Sequence, residues 1–247
     1  MQRKTQGLVI KEQAVGESDR LVTVLTKDEG VVRAFARPAQ QLKDSKNAAT
    51  GLLCYSRFTL SKGKSAYNIS EAFPIEVFFD LRKDITRLAL AQYFCQLAVE
   101  VVPEGVEAGE YLRLVLNALH FLCKGSRPQA VLKAIVELRM LSEAGYMPNV
   151  AYCAHCGAYE SPRMYFKINR GELYCQECYI DNGDPCAPLS PAALTAMRHI
   201  VFADFEKIFS FTVSPGAQQE LAAAAEAYTM QILQKRPKTL DFYYSLL

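Results

Sequence analysis

Four cysteines in the spacing C-x2-C-x18-C-x2-C, Cys153, Cys156, Cys175 and Cys178, constrain this chain more than any other feature. Each C-x2-C turn aims two sulfurs at one point, and a hairpin between the turns carries both pairs to the same ion, so the spacing predicts a four-thiolate zinc site. Gly157 after the first pair and Asn169-Arg170-Gly171 before the second supply turns, while Tyr165, Phe166, Ile168, Leu173 and Tyr174 supply two short strands. Two unrelated buried pairs, or a redox C-x-x-C, are the competing readings, and two correctly spaced pairs weigh against both. Four thiolates fill the tetrahedron and leave no position for water, so the metal is expected to be structural. His155, inside the first pair, is expected at the surface. The His-x-Glu that a zinc deaminase places ahead of its cysteines does not occur in the sequence.

The chain ahead of the finger changes periodicity once. Residues 6–15, 20–27, 31–37, 52–61 and 66–75 alternate apolar with polar side chains and read as strands. Lys27-Asp28-Glu29-Gly30 and Ser61-Lys62-Gly63-Lys64-Ser65 read as hairpin turns, and 38–50 as a longer polar loop. Five short strands in about 75 residues predict a small closed sheet of the OB type, because closure removes exposed edges. From Asp80 onward apolar residues recur every three to four positions, giving helices that end before Pro103, run from Glu107 to Cys123, and run from Pro128 to Ala144 with Gly145 as the stop. Ser190-Pro191 and Ser214-Pro215 each predict an N-cap followed by proline in the first turn, the second helix reaching about Lys235. The apolar tail from Leu240 to Leu247 is expected to pack on the helices. The fold class is therefore α+β: a five-stranded OB-fold barrel at 1–79, a helical domain at 80–150 and 185–247, and a four-cysteine zinc finger inserted at 151–184.

Half of the 247 residues are hydrophobic and 22% are charged, the balance of a folded protein. No apolar run of about eighteen residues occurs, and Met1-Gln2-Arg3-Lys4-Thr5-Gln6 leads into no signal core, so a cytoplasmic, membrane-free chain is expected. The eight cysteines fit a reducing compartment, since Cys54, Cys95, Cys123 and Cys186 are scattered singly. The net charge of +2 conceals an asymmetry: residues 1–70 carry 12 basic against 6 acidic residues, and the remainder 16 against 20. Any basic surface is N-terminal.

Catalytic readings lack parts. His120 and His199 sit in helical, apolar stretches where structural histidines are expected. Gly63-Lys64-Ser65 has no glycine five residues earlier and lies in a hairpin, unlike a phosphate-binding P-loop. Gly16-Glu17-Ser18-Asp19 beside Arg20 reads as turn chemistry with a local ion pair. What remains is the basic barrel: Arg33, Arg37, Lys43 and Lys46 on and after the third strand, with Lys62 and Lys64 on the later hairpin. Such residues can contact phosphates without reading sequence, and Tyr55 and Tyr67 could stack on unpaired bases. The bland alternative is solvated lysines and core tyrosines.

The order of these elements, together with particular stretches, resembles the RecO family of bacterial recombination mediators. The stretches are Gly7-Leu8-Val9-Ile10, Gly16-Glu17-Ser18-Asp19-Arg20-Leu21-Val22-Thr23-Val24-Leu25-Thr26 and Gly30-Val31-Val32-Arg33-Ala34-Phe35-Ala36-Arg37, then Gly145-Tyr146-Met147-Pro148 running into Cys153-Ala154-His155-Cys156-Gly157, and Gly171-Glu172-Leu173-Tyr174-Cys175-Gln176-Glu177-Cys178. The chain departs from the expected pattern at Pro38-Ala39-Gln40-Gln41, where glycine and further basic residues are expected. The resemblance implies an OB-fold that binds single- and double-stranded DNA at the basic segment, annealing of complementary strands, and no enzymatic turnover. It further implies work with RecR to load RecA onto DNA coated by single-stranded-DNA-binding protein, in a cytoplasmic, nucleoid-associated setting. An RNA-binding OB protein with a zinc ribbon, or a protein–protein adaptor, would share the barrel and finger.

Overall fold

The alternation in the first 77 residues closes on itself. The computed structural model describes residues 2–15, 19–36, 48–63 and 66–247. Its five N-terminal strands are β1 (Gln2–Val15), β2 (Asp19–Thr26), β3 (Gly30–Ala36), β4 (Cys54–Lys62) and β5 (Tyr67–Val77), joined as a barrel in the order β1-β2-β3-β5-β4. All neighbours are antiparallel except β3 and β5, which meet in parallel at Ala34–Tyr67 and Phe35–Asn68. Inward side chains Val9, Val22, Val24, Val32, Ala34, Phe58, Leu60, Ile69 and Ala72 fill the barrel. Small and branched residues suffice because a five-stranded barrel has little interior volume.

A bulge in β1 decides which residues face outward. Val9 pairs with Val24 and Lys11 with Thr23, so Ile10 is the extra residue. Without it Lys11 would share the parity of Val9 and point into the core; one inserted residue returns it to the outer face.

A 3-10 turn (Phe79–Lys83) leads to α1 (Ile85–Val101), whose N-cap Asp84 accepts from the Thr86 and Arg87 amides at 3.0 and 3.1 Å. Next come α2 (Gly109–Lys124) and α3 (Gln129–Glu143). A four-stranded sheet in the order β6-β8-β7-β9 is built from β6 (Asn149–Cys153), β7 (Met164–Lys167), β8 (Glu172–Cys175) and β9 (Cys186–Leu189). The sequence pattern showed β7 and β8 but neither β6 nor β9. Then follow α4 (Pro191–Phe202), α5 (Pro215–Leu233) and α6 (Lys238–Tyr244). Ser190 and Ser214 cap α4 and α5 by accepting from the Ala193 and Ala217 amides, with proline in each first turn. The tail forms α6, which packs on α1 and buries Leu240 and Tyr243. No helix among the described residues is long and apolar enough to cross a membrane.

By contacts the chain divides into Met1–Lys124 with Pro237–Leu247, and Gly125–Arg236. The first two helices and the tail thus group with the barrel by contacts. In the first unit, the hairpin between β2 and β3 is clasped by the 103–108 segment. Gly105 N donates to Glu29 O (2.9 Å) and Ala108 N to Lys27 O (2.8 Å). Gly30 sits at the contact with φ +65°, where a Cβ would overlap the Pro103 carbonyl. Gly30→Val is therefore expected to cost about 3 kcal/mol in urea unfolding, from backbone strain plus overlap. Gly105→Ala, with φ +81° and open space around it, should lose only about 1 kcal/mol.

Candidate metal centre and nucleic-acid surface

The four cysteines converge because β6 and β8 run parallel, with Cys153 paired to Leu173, so their C-terminal ends lie side by side. Cys153 and Cys175 end these strands, and each continues into a tight turn that brings its partner cysteine back. Gly157 N donates to Cys153 O (2.9 Å), and Cys178 N and Tyr179 N donate to Cys175 O (3.1 and 2.9 Å). All four Sγ atoms lie within 4.8 Å of one another, and Cys156 Sγ is 3.7 Å from Cys175 Sγ. Tetrahedral bonds of about 2.3 Å to one ion would place sulfurs roughly 3.8 Å apart, so the donor set fits a thiophilic dication.

The thiols are electrostatically unequal. Burial raises the Cys153 thiol, but this is outweighed by the Cys156, Cys175 and His155 amides and the Cys156 thiol, which together bring it down to about 6. Cys178 is pushed up, first by its hydrogen bond to Cys175 and then by Cys156. One thiolate is thus welcome and further negative charge is opposed, the condition a bound dication relieves. His155 is exposed on the first turn and outside the sulfur cluster, as expected.

Two cations that the sequence pattern did not reveal brace the finger. Arg198 of α4 donates from Nε to Val150 O (2.7 Å) and from Nη2 to Ala151 O (2.8 Å) and Tyr159 O (2.7 Å), with its guanidinium 3.9 Å from the Tyr159 ring. Buried Lys167 donates to Ile180 O (3.2 Å) and to Asn182 Oδ1, fixing the segment after the second cysteine turn. His199 is satisfied by Lys207 O (2.8 Å) and packs edge-on against Phe211. His120 is exposed rather than set in apolar surroundings.

On the barrel, Arg33 and Lys62 are exposed, and Arg37, Lys43, Lys46 and Lys64 lie outside the described residues. Arg33 projects outward from β3 opposite Thr23 of β2, which in turn faces Lys11 of β1. Lys11, Thr23 and Arg33 therefore form one cross-strand row with about 5 Å between neighbours. The next row holds Gln13, Leu21 and half-buried Phe35. Lys62 pairs with Tyr67 at the β4–β5 turn, and Tyr67 neighbours Ala34 on β3. Lys11, Arg33 and Lys62 have no acidic partner among the described residues. Arg20, by contrast, binds Glu12 and Thr50, each at 2.7 Å. Tyr55 gives its hydroxyl to Gln6 (2.7 Å), and Tyr67 packs against the barrel core, so neither ring stands free. Lys11 is the surface residue that sequence reasoning missed.

Comparison with known proteins agrees across the whole length. The model of the N-terminal part of recombination protein O matches residues 1–78, and that of its C-terminal part matches residues 82–241. A "DNA repair protein RecO" from Acetivibrio thermocellus is 36% identical over 98% of this chain and 96% of its own. Proteins of the same name are 31% identical in Symbiobacterium thermophilum, over 97% of this chain and 96% of their own, and 30% identical in Dehalococcoides mccartyi, over 98% and 95%.

Proposed function

The chain belongs to the RecO family, and on that premise we propose that it is a DNA repair and recombination mediator acting by phosphate neutralisation, without enzymatic turnover. It binds single- and double-stranded DNA on the outer face of β1–β2–β3, anneals complementary strands, and works with RecR to load RecA onto DNA coated by single-stranded-DNA-binding protein. The observation that carries this reading is the Lys11–Thr23–Arg33 row, two exposed cations flanking a small side chain on a barrel face. Strands approach each other only when their phosphate charge is lowered, and annealing requires base edges left free to pair. Cations on a barrel face meet both needs, and Arg37, Lys43, Lys46, Lys62 and Lys64 are the further phosphate contacts in this reading.

Zinc is the ion assigned to the four cysteines, since four thiolates in a tetrahedron suit it and close its coordination shell. It holds the sheet together and does no chemistry on DNA. The setting is the bacterial cytoplasm at the nucleoid.

Annealing of complementary strands coated by single-stranded-DNA-binding protein, followed by fluorescence quenching, tests the reading with the Arg33→Ala, Arg37→Ala, Lys43→Ala triple variant. Loss of three single-strand contacts should flatten the salt dependence of binding by about 2 in log–log slope and slow annealing most at low salt. A triple variant that anneals like the parent removes this face from consideration, and a preference for RNA over DNA at matched salt would favour an RNA-binding role.

A further inference from the structure

The polar residues of α1 are few and ordered. Among mostly buried neighbours, Gln92, Gln96 and Glu100 recur every fourth position and so share one face. That face lines a groove of about 400 Å³ together with Lys11 of β1, Val99, and Lys238 at the start of α6. The groove lies within the barrel's own unit.

Its lining contains more polar capacity than the fold consumes. Gln96 has a structural task, since its Oε1 accepts from the Thr239 amide (3.3 Å) and hydroxyl (2.7 Å). The half-buried Gln92 has no such partner among the described residues, and neither Lys11 nor Lys238 has an acidic one. Of the two carboxylates lining the groove, Glu12 is engaged by Arg20 (2.7 Å) and the Leu52 amide (3.3 Å). Val99 is 38% exposed and offers an apolar floor.

Lys11 belongs to this groove and also to the row with Thr23 and Arg33. We propose that an unpaired nucleic-acid strand bound on the β1–β2–β3 face continues past Lys11 into the groove of Gln92 and Lys238, making the C-terminal segment part of the strand-binding surface. The proposal rests on the DNA-binding reading above and names where the strand goes next. Lys238 meets a phosphate, the Gln92 amide serves a base or sugar edge, and Val99 packs under a base.

Fluorescence anisotropy with labelled oligothymidylates of about 4 to 16 nucleotides, the span of OB-fold site sizes, separates the outcomes. For the shortest oligomers Lys238→Ala and Gln92→Ala should bind like the parent, whereas Lys11→Ala weakens binding at every length. For the longest, Lys238→Ala should lose about 0.7 in salt slope, one single-strand phosphate contact, and several-fold in affinity. Thermal melts matching the parent's show that each variant is folded. Length-independent behaviour of Lys238→Ala and Gln92→Ala, equal to the parent throughout, overturns the proposal while leaving the β1–β2–β3 face standing. A parent chain that binds no oligomer overturns both.

Discussion

Replacing Cys175 by serine is expected to empty the metal site and unfold the sheet spanning 149–189. Cys175 ends β8, is buried, and pairs with Met164 of β7, so its loss removes a donor at the junction of two strands. The small sheet buries Val150, Met164, Phe166, Leu173 and Leu189, and Phe166 packs edge-on against Tyr228 of α5. Structural zinc supplies about 10–16 kcal/mol in isolated finger peptides at neutral pH, as large as the net stability of a whole domain, so burial alone is not expected to hold the sheet once the ion is lost. The parent should therefore carry one zinc per chain by metal analysis, and the variant about none, with hydrogen exchange in residues 149–189 accelerated toward unfolded rates. Protons compete for the same sulfurs, so a chelator should strip the parent faster as pH falls. Full protection of these amides in the metal-free variant would show that the finger needs no ion.

A second large effect is expected at Lys133. Its side chain is 2% exposed, and the ammonium lies 2.9 Å from Glu137 and 2.8 Å from Glu226, which also receives Arg236 at 2.9 Å. This links α3 to α5 through charges removed from water. Lys133→Met leaves the Glu137 carboxylate, wholly buried, without its nearest cation, and should cost about 3–5 kcal/mol in denaturant unfolding. Exchanging Lys133, Glu137 and Glu226 together for apolar residues of similar volume should restore most of it, because the desolvation penalty leaves along with the attraction. If Lys133→Met unfolds at the parent's midpoint, the network contributes nothing.

Those two sites differ in how far they could be read from the sequence. The cysteine spacing is a covalent-scale signature, since two residues between ligands fix a turn whatever surrounds it, and the structure brings all four sulfurs together. The five strands and the serine–proline helix starts were legible for the same reason, each being set by neighbours a few residues apart. Lys133 and Glu137, however, have the i, i+4 spacing of a surface ion pair, and only the packing of α5 over α3 turns them into a buried one. Lys11 was hidden by the bulge at Ile10, because simple alternation assigns it to the wrong face. The parallel contact of β3 with β5, which carries Tyr67 and Lys62 to the third strand, joins residues more than thirty positions apart and leaves no local trace. Arg198 is likewise an ordinary helix cation until β6 presents its carbonyls to it.

The most direct test is the salt dependence of binding to a single-stranded oligothymidylate, measured from about 50 to 200 mM salt for the parent and for Lys11→Ala combined with Arg33→Ala. If these two side chains meet phosphates, the log–log slope of the double variant should be shallower by about 1.4, and its affinity should approach the parent's as salt rises. An unchanged slope would mean that phosphates are met elsewhere and that the outer face of β1–β2–β3 is not where this protein holds DNA.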